Sequence, residues 1–241
     1  SNDKDIKQLH AECQVPAQQF TPAGKYELSL ELGDLQWTDH EVGDHTVTEI
    51  NLPPFPIPKP VVAQVRNYQN TPTLFVDGKP QFPFAFLGVH TGHYGEFGVQ
   101  GAHLYTVGCG IGNQQPGKFD ENEPVQVLQE ILTCDPDAQV ILRVQLEPPA
   151  IWLTEHPKER VVFDDGTLGP QSFASQEWLD LISNDLRQFI NYLRNSPFAD
   201  RVIGLHLCTG YSAEWQSWGL WDNQRGDFSP AFTKYFQQWL T

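Results

Sequence analysis

The chain has 241 residues, enough for one large domain, or a domain with a smaller module, and enough to bury a sizeable core. Thirty acidic side chains against 15 basic ones leave a net charge of −15, which argues against a nucleic-acid-binding or anionic-membrane surface and fits a neutral partner. No apolar run approaches the roughly 18 residues of a bilayer span, so no membrane insertion is expected.

No secretory signal is legible in the first residues. The mature part of an exported protein reads the same way, and a secreted or periplasmic location is expected over a cytoplasmic one. Cys13, Cys109, Cys134 and Cys208 form no C-x-x-C pair and no metal-ligand spacing. Cys109 and Cys208 end apolar runs and read as buried thiols, and no structural disulfide is expected.

In chain order, residues 1–20 are polar. Lys25 to Leu32 alternates, with Tyr26, Leu28, Leu30 and Leu32 on one face, and predicts a half-buried strand turning at Gly33-Asp34. His45 to Leu52 predicts a second strand. Five prolines between Asn51 and Pro60 exclude helix and central strand there and predict an extended linker. Val61 to Tyr68 alternates again. Residues 1–72 thus read as a small β-rich lead-in segment, the tail of a β-sandwich with its linker.

The pattern changes at Thr73. Leu74-Phe75-Val76, Asp77-Gly78 and Gln81-Phe82 read as a tight hairpin. Apolar runs come next at Phe82 to Val89, Leu104 to Val107, Gln139 to Leu146 and Val202 to Leu207. The last is expected to be buried on both faces, as central parallel strands are. Between the second and third runs lies a helix of about a dozen residues with Val125, Leu128, Ile131 and Leu132 on one stripe. Trp152 to Pro157 reads as a loop or short helix, and Val161 to Phe163 with Asp164-Asp165-Gly166 as a hairpin arm. Ser175 predicts the N-cap of a helix reaching Arg194. Ser229-Pro230 predicts another helix start, with Ala231, Phe232, Tyr235, Phe236, Trp239 and Leu240 as its buried stripe.

Strands that alternate with helices and end in Gly, His, Pro or a carboxylate predict α/β architecture with a parallel sheet. The expected fold is a (β/α)8 TIM-type barrel. Residues 73–241 supply about its first four β/α units, and the remaining units are expected beyond residue 241.

Residues that end parallel strands point at the ligand face of such folds. Here they are His90, His93, Glu147, Trp152 and Glu214. Glu214 comes after the fourth apolar run, in a loop with Tyr211, Trp215, Trp218 and Trp221. A carboxylate walled by aromatic rings suits a raised pKa and general acid work, and the rings offer flat faces for a sugar. The same stretch also reads as a solvated glutamate beside core tryptophans. Sugar chemistry usually needs two carboxylates, and this loop supplies one. Arg143, Gln145 and Glu147 share one strand face, either as a polar line into the barrel or as an internally satisfied Arg–Glu pair. His90 and His93 lack a third ligand at recognisable spacing and read as hydrogen-bonding or structural histidines, so no metal site is expected. A G-x-S-x-G elbow and a Walker loop are both absent, and Gly108-Cys109-Gly110-Ile111-Gly112 does not fit G-x-G-x-x-G.

Three stretches carry a family resemblance. The first is Asp77-Gly78-Lys79-Pro80 leading into Phe82-Pro83-Phe84. The second is Pro136 to Val144, then Pro148-Pro149-Ala150-Ile151-Trp152-Leu153 and His156-Pro157. The third is Gly210 to Trp218, then Gly226-Asp227-Phe228-Ser229-Pro230-Ala231. In this order, over roughly residues 73–241, the chain resembles a clan A glycoside hydrolase of the β-galactosidase-like kind around family 42. The resemblance implies a retaining hydrolase acting on a β-linked oligosaccharide or glycoside, with no cofactor. Glu214 matches the acid/base at the end of the fourth barrel strand, and the nucleophile glutamate at the end of the seventh would lie beyond Thr241. Trp152, Trp215, Trp218 and Tyr211 would wall or stack on the sugar, with His90, Glu147 and Arg143 as further contacts. One departure is plain: Ala213 precedes Glu214 where the family usually carries asparagine. It leaves open a non-catalytic carbohydrate-binding or scaffolding protein on a degenerate barrel.

Overall fold

The structure is a computed structural model that describes residues 24–28, 48–52, 56–81, 84–88, 93–111, 115 and 119–241. The chain divides into two compact units, residues 1–56 and 57–241. In the first, β1 (Gly24–Leu28) and β2 (Thr48–Leu52) pair antiparallel, with Gly24 opposite Leu52. β2 falls inside the expected strand His45–Leu52, and β1 overlaps the expected strand Lys25–Leu32 but begins one residue before it. The Gly33-Asp34 turn lies outside the described residues.

The second unit opens with an antiparallel sheet of β3 (Ala63–Tyr68), β4 (Thr71–Val76) and β5 (Lys79–Pro80). Asp77 and Gly78 have φ of +46° and +80°, so the expected hairpin is closed by two left-handed residues, the geometry that suits strand twist. The division between units falls at residue 56, not near residue 72. The cause is pairing: β3 runs antiparallel to β4 along its whole length, Ala63 opposite Val76 and Tyr68 opposite Thr71. That ladder ties residues 63–68 to residues 71–76 and so to the second unit.

The remaining elements are β6 (Phe86–Gly88), α1 (Tyr94–Gly98), β7 (Leu104–Gly110), α2 (Asn122–Cys134), β8 (Gln139–Gln145), α3 (Ala150–Glu155), β9 (Arg160–Val162), β10 (Leu168–Gln171), α4 (Gln176–Arg194), β11 (Val202–Cys208) and α5 (Pro230–Trp239). Strands β6, β7, β8 and β11 form a four-stranded sheet in the order β11-β8-β7-β6, and every pair in it is parallel. Among the described residues this sheet is open. The short antiparallel hairpin β9–β10 comes after α3.

Period two decides what each face does. On β8, Val140, Leu142 and Val144 are fully buried, while Ile141 and Arg143 between them are half-buried and Gln145 is exposed. On β7, Tyr105, Val107 and Cys109 are the buried set. The helices contribute Leu128, Ile131 and Leu132 from α2, and Trp178, Ile182, Phe189 and Leu193 from α4, to the same core. Each such side chain contributes about 1.5–3 kcal/mol when fully buried. Strand β11 departs from expectation. Val202 to Leu207 are half-buried, except for the exposed His206, because β11 is the edge of the described sheet and has β8 on one side only.

The N-terminal ends of β7 and β8 are tied together by Asp135, a buried carboxylate between α2 and β8. Its Oδ2 accepts the Tyr105 hydroxyl at 2.7 Å, and His103 Nδ1 lies 3.0 and 2.9 Å from its two oxygens. The Asp137 amide donates to Oδ1 at 3.1 Å. Burial pushes the Tyr105 phenol well above its ordinary value, helped by the hydrogen bond to Asp135.

Both helix starts read from serine are present. Ser175 Oγ accepts the Trp178 amide at 3.0 Å, and its hydroxyl donates to Glu159 Oε2 at 2.6 Å. Ser229 Oγ accepts the Phe232 amide at 3.1 Å, with Pro230 opening α5. The α5 stripe, however, is not buried: Phe232, Tyr235, Phe236, Trp239 and Leu240 are all exposed. Periodicity identified residues that share a face, but the described residues place nothing over that face.

The Ser175 cap offers a direct check. Ser175→Ala removes a donor and an acceptor from a fully buried site and should cost about 1–2 kcal/mol, read as a lower urea midpoint. Ser175→Thr keeps both bonds and should recover most of the loss.

Candidate functional site

The strand ladders line up the polar face layer by layer. In the parallel register Gly108 and His206 flank Arg143, and Gly110 and Cys208 flank Gln145. A side chain at Gly108 would meet nothing within 4 Å, so the glycine leaves open space beside Arg143. Glu147 lies just beyond the strand. Around these residues lies a pocket of ≈ 450 Å³, bounded by Gly108, Arg143, Gln145, Glu147, Cys208 and Gly210, with Ser212, Ala213 and Trp218 from the segment after β11. It therefore sits at the C-terminal ends of the parallel strands, where this architecture places ligands. A second hollow of ≈ 320 Å³, lined mainly by apolar residues such as Val61, Ile190, Leu193, Val202 and Ile203 with Arg194 as its charged member, lies by the start of β11.

The turn above the pocket is built by the backbone. Trp215 N donates to Thr209 O at 2.7 Å, Ala213 N to Gly210 O at 3.0 Å, and Tyr211 N to Gln216 O at 3.1 Å. Gly210 has φ of +82°, and a Cβ there would lie 2.5 Å from Gln216 O, so only glycine fits. Ser212, Ala213 and Trp215 hold φ of +57°, +57° and +60°. Left-handed backbone costs a non-glycine residue roughly 1–2 kcal/mol. Three such residues within four positions mark a turn whose surroundings over-determine its shape, as happens at functional sites.

Glu147 is half-buried at the pocket wall, with one of its oxygens sealed from water. Its Oε1 accepts the Thr209 hydroxyl at 3.2 Å, and its Oε2 is buried with no partner among the described residues. Burial pushes its carboxyl above the ordinary carboxylate range, partly offset by its own backbone amide, the Thr209 hydroxyl and the Gly210 amide. Thr209 in turn accepts Gln171 Nε2 at 3.2 Å. The internally satisfied Arg143–Glu147 pair is not what forms: Glu147 is held by Thr209, and both residues line the pocket.

Glu214 occupies the turn itself. It is exposed, and its Oε2 accepts Gln216 Nε2 at 3.2 Å. Its neighbours Ser212 and Ala213 line the pocket, whereas Glu214 does not. The expected aromatic walls are therefore displaced from it. Trp215 is 52% exposed, with Nε1 donating to Leu207 O at 2.8 Å and its ring 6.1 Å from that of Phe173. Trp218 is half-buried, lines the pocket, and donates Nε1 to Gln171 O at 3.0 Å. Tyr211 is half-buried, 6.2 Å from the exposed Trp221.

Trp152 is not a cleft wall. It is 4% exposed and stacks on His156 at 4.4 Å, because α3 turns it into the core. His90 lies outside the described residues. His93 is exposed, with Nδ1 2.9 Å from Glu96 Oε2. One group of metal-ligand type is brought together among the described residues, His103, Asp135 and Asp137, at the opposite end of the strands, where Asp135 already accepts three donors. Cys109, Cys134 and Cys208 are free thiols. Burial pushes Cys109 up to about 12, which makes it inert.

Two residues of the site, Thr209 and Gln171, were not singled out by the sequence. Thirty-eight positions separate them, and only the fold makes them neighbours. No protein-family model matches the chain, and no curated protein matches it.

The Glu147 environment predicts a pH signature. Its native pKa is raised above the ordinary 4.5, so the folded protein holds this proton more tightly than the unfolded chain does. Stability contributed by that proton is lost as pH rises through the window that starts near 4.5 and extends upward. Glu147→Gln stays neutral and escapes the loss. Its Tm relative to wild type should climb as pH is raised from acid to neutral. A difference that is flat with pH would show that Glu147 is not desolvated.

Proposed function

We propose that this protein is a retaining glycoside hydrolase acting on a β-linked, β-galactoside-like sugar, on a (β/α)8 barrel to which this chain contributes the first units. The observation that carries the reading is the pocket at the C-terminal mouth of the parallel sheet. A desolvated carboxyl, Glu147, stands at its wall, and a strained carboxylate-bearing turn, Ser212 to Trp215, lies over it. A neutral polyol suits such a place. Arg143 and Gln145 offer donors and Glu147 a carboxyl group, while Trp218 supplies an apolar ring with its polar edge already bonded.

In this reading Glu214 protonates the glycosidic oxygen and later deprotonates water. A nucleophile carboxylate outside residues 1–241 attacks the anomeric carbon from about 5–5.5 Å across the site. No cofactor is needed. Glu214 becomes effective when substrate covers the turn and excludes water from its now exposed carboxylate.

In the full-length protein, Glu214→Gln should lower turnover of a natural β-galactoside by 10²- to 10⁴-fold, the usual worth of acid–base assistance. Substrates with activated leaving groups should lose far less in the first step, and azide should restore the second. Turnover within about threefold of wild type would remove Glu214 from the mechanism. One observation favours a second reading, a carbohydrate-binding protein without turnover: the pocket is lined without Glu214. Sugar binding with no hydrolysis in wild type would decide for it.

Trp215→Ala separates platform from core. The ring is half in water, so the substitution should weaken sugar binding by about tenfold, or 1.4 kcal/mol, while Tm changes little. A large Tm loss with unchanged affinity would make Trp215 structural.

A further inference from the structure

We infer that Gln171 and Thr209 are positioning residues for Glu147: two buried donors in series that fix its carboxyl group, holding Oε1 and leaving Oε2 as the oxygen that carries the proton. The direction of the chain of bonds is set by the chemistry of each group. The Gln171 amide nitrogen has only hydrogens to offer, so at 3.2 Å from Thr209 Oγ1 it donates and the hydroxyl accepts. A threonine hydroxyl has one hydrogen. With Gln171 filling the acceptor side, that hydrogen is sent to Glu147 Oε1, 3.2 Å away. The opposite order, with Glu147 donating to Thr209, would leave the hydroxyl hydrogen to compete with the amide hydrogens. Both positioning residues are fully buried, so water does not exchange with these bonds.

Three separate segments meet in this line. Glu147 lies just after β8, Thr209 just after β11, and Gln171 ends β10, paired in register with Arg160 of β9. Gln171 is itself anchored, since its carbonyl accepts Trp218 Nε1 at 3.0 Å. The aromatic wall of the pocket and its carboxyl are thus joined through one glutamine. Other ionisable groups on the surrounding elements are Arg143 on β8, His206 and Cys208 on β11, Glu214 on the turn, and Asp227, which accepts the Ser172 hydroxyl at 2.6 Å. Among the described residues, the side-chain partner of Glu147 is Thr209. The ligand, a sugar hydroxyl, rests on the proposed glycoside hydrolase function, while the positioning rests on the geometry.

The test tracks the Glu147 carboxyl carbon by ¹³C NMR titration of the full-length protein labelled at glutamate, with the resonance assigned by its absence in Glu147→Gln. Thr209→Val keeps the shape and removes the hydroxyl, so the Glu147 midpoint should rise by about one pH unit, the worth of a hydrogen bond to a charged group. Thr209→Ser should restore it. Gln171→Leu should move it in the same direction by less, because Thr209 can still donate but is no longer aimed. An unchanged midpoint in Thr209→Val overturns the inference, as does a folded Thr209→Ser that behaves like valine. If Thr209→Val fails to fold, Gln171→Leu decides, and an unmoved midpoint there is equally fatal. Isothermal titration with a β-galactoside separates the two readings. A midpoint that moves as expected in a protein that binds no sugar keeps the positioning and removes the sugar site. Sugar binding with an unmoved midpoint does the reverse.

Discussion

The two faces of β8 hold opposite duties, and most of the molecule is shaped by that. Val140, Leu142 and Val144 must leave water, and the helices on their side of the sheet provide the cover. Because a strand turns successive side chains to opposite faces, the same demand forces Arg143 and Gln145 to the other side. There is no register in which the apolar set is buried and the polar set is buried with it. The polar side of the sheet is thereby committed to water or to a ligand. Its neighbour on β7 complies at Gly108, which leaves open space beside Arg143, whereas the Glu123 side chain fills the place beside Gly110.

A parallel sheet gives such a polar line a defined end. All strands point one way, so the segments after β8 and β11 emerge together, and Glu147 meets Thr209. The opposite end has been closed with different chemistry. Asp135 draws a histidine, a tyrosine and a backbone amide onto one carboxylate and seals the starts of β7 and β8. The two carboxylates differ in what surrounds them. Asp135 is saturated with donors and serves the fold, whereas Glu147 keeps one oxygen without a partner among the described residues and borders a hollow. A buried acceptor left in that state is costly unless protonation or a ligand satisfies it.

The start of helix α4 was legible because Ser175 is the residue type that caps a helix, and it does so by accepting the Trp178 amide. The Arg143-Gln145-Glu147 line was legible for an equally local reason, the alternation of a strand. What sequence could not carry is which carboxylate loses its water. Glu214 looked enclosed because aromatic residues crowd it along the chain, yet those rings pack elsewhere, Trp215 beside Phe173 and Tyr211 beside Trp221. Glu147 has no aromatic neighbour among the adjacent residues of the chain except Trp152, and that one turns away into the core. Desolvation depends on neighbours in space, and here they include Thr209 and Gly210 from the segment after β11.

Helix α5 shows what an uncovered apolar stripe does to local stability. Its aromatic residues face water, with Trp239 72% exposed, and its anchors are the Ser229 cap and packing beside the turn at 157–159. A helix of ten residues does not hold itself together in water, so nearly all of its order must come from those few attachments. Its amides should therefore exchange with solvent deuterium through local fraying, at a free energy far below that of α4, which buries Trp178, Ile182, Phe189 and Leu193. Among the described residues, rigidity therefore falls from α4 to the helix that begins where Asp227 and Ser229 end the segment over the pocket.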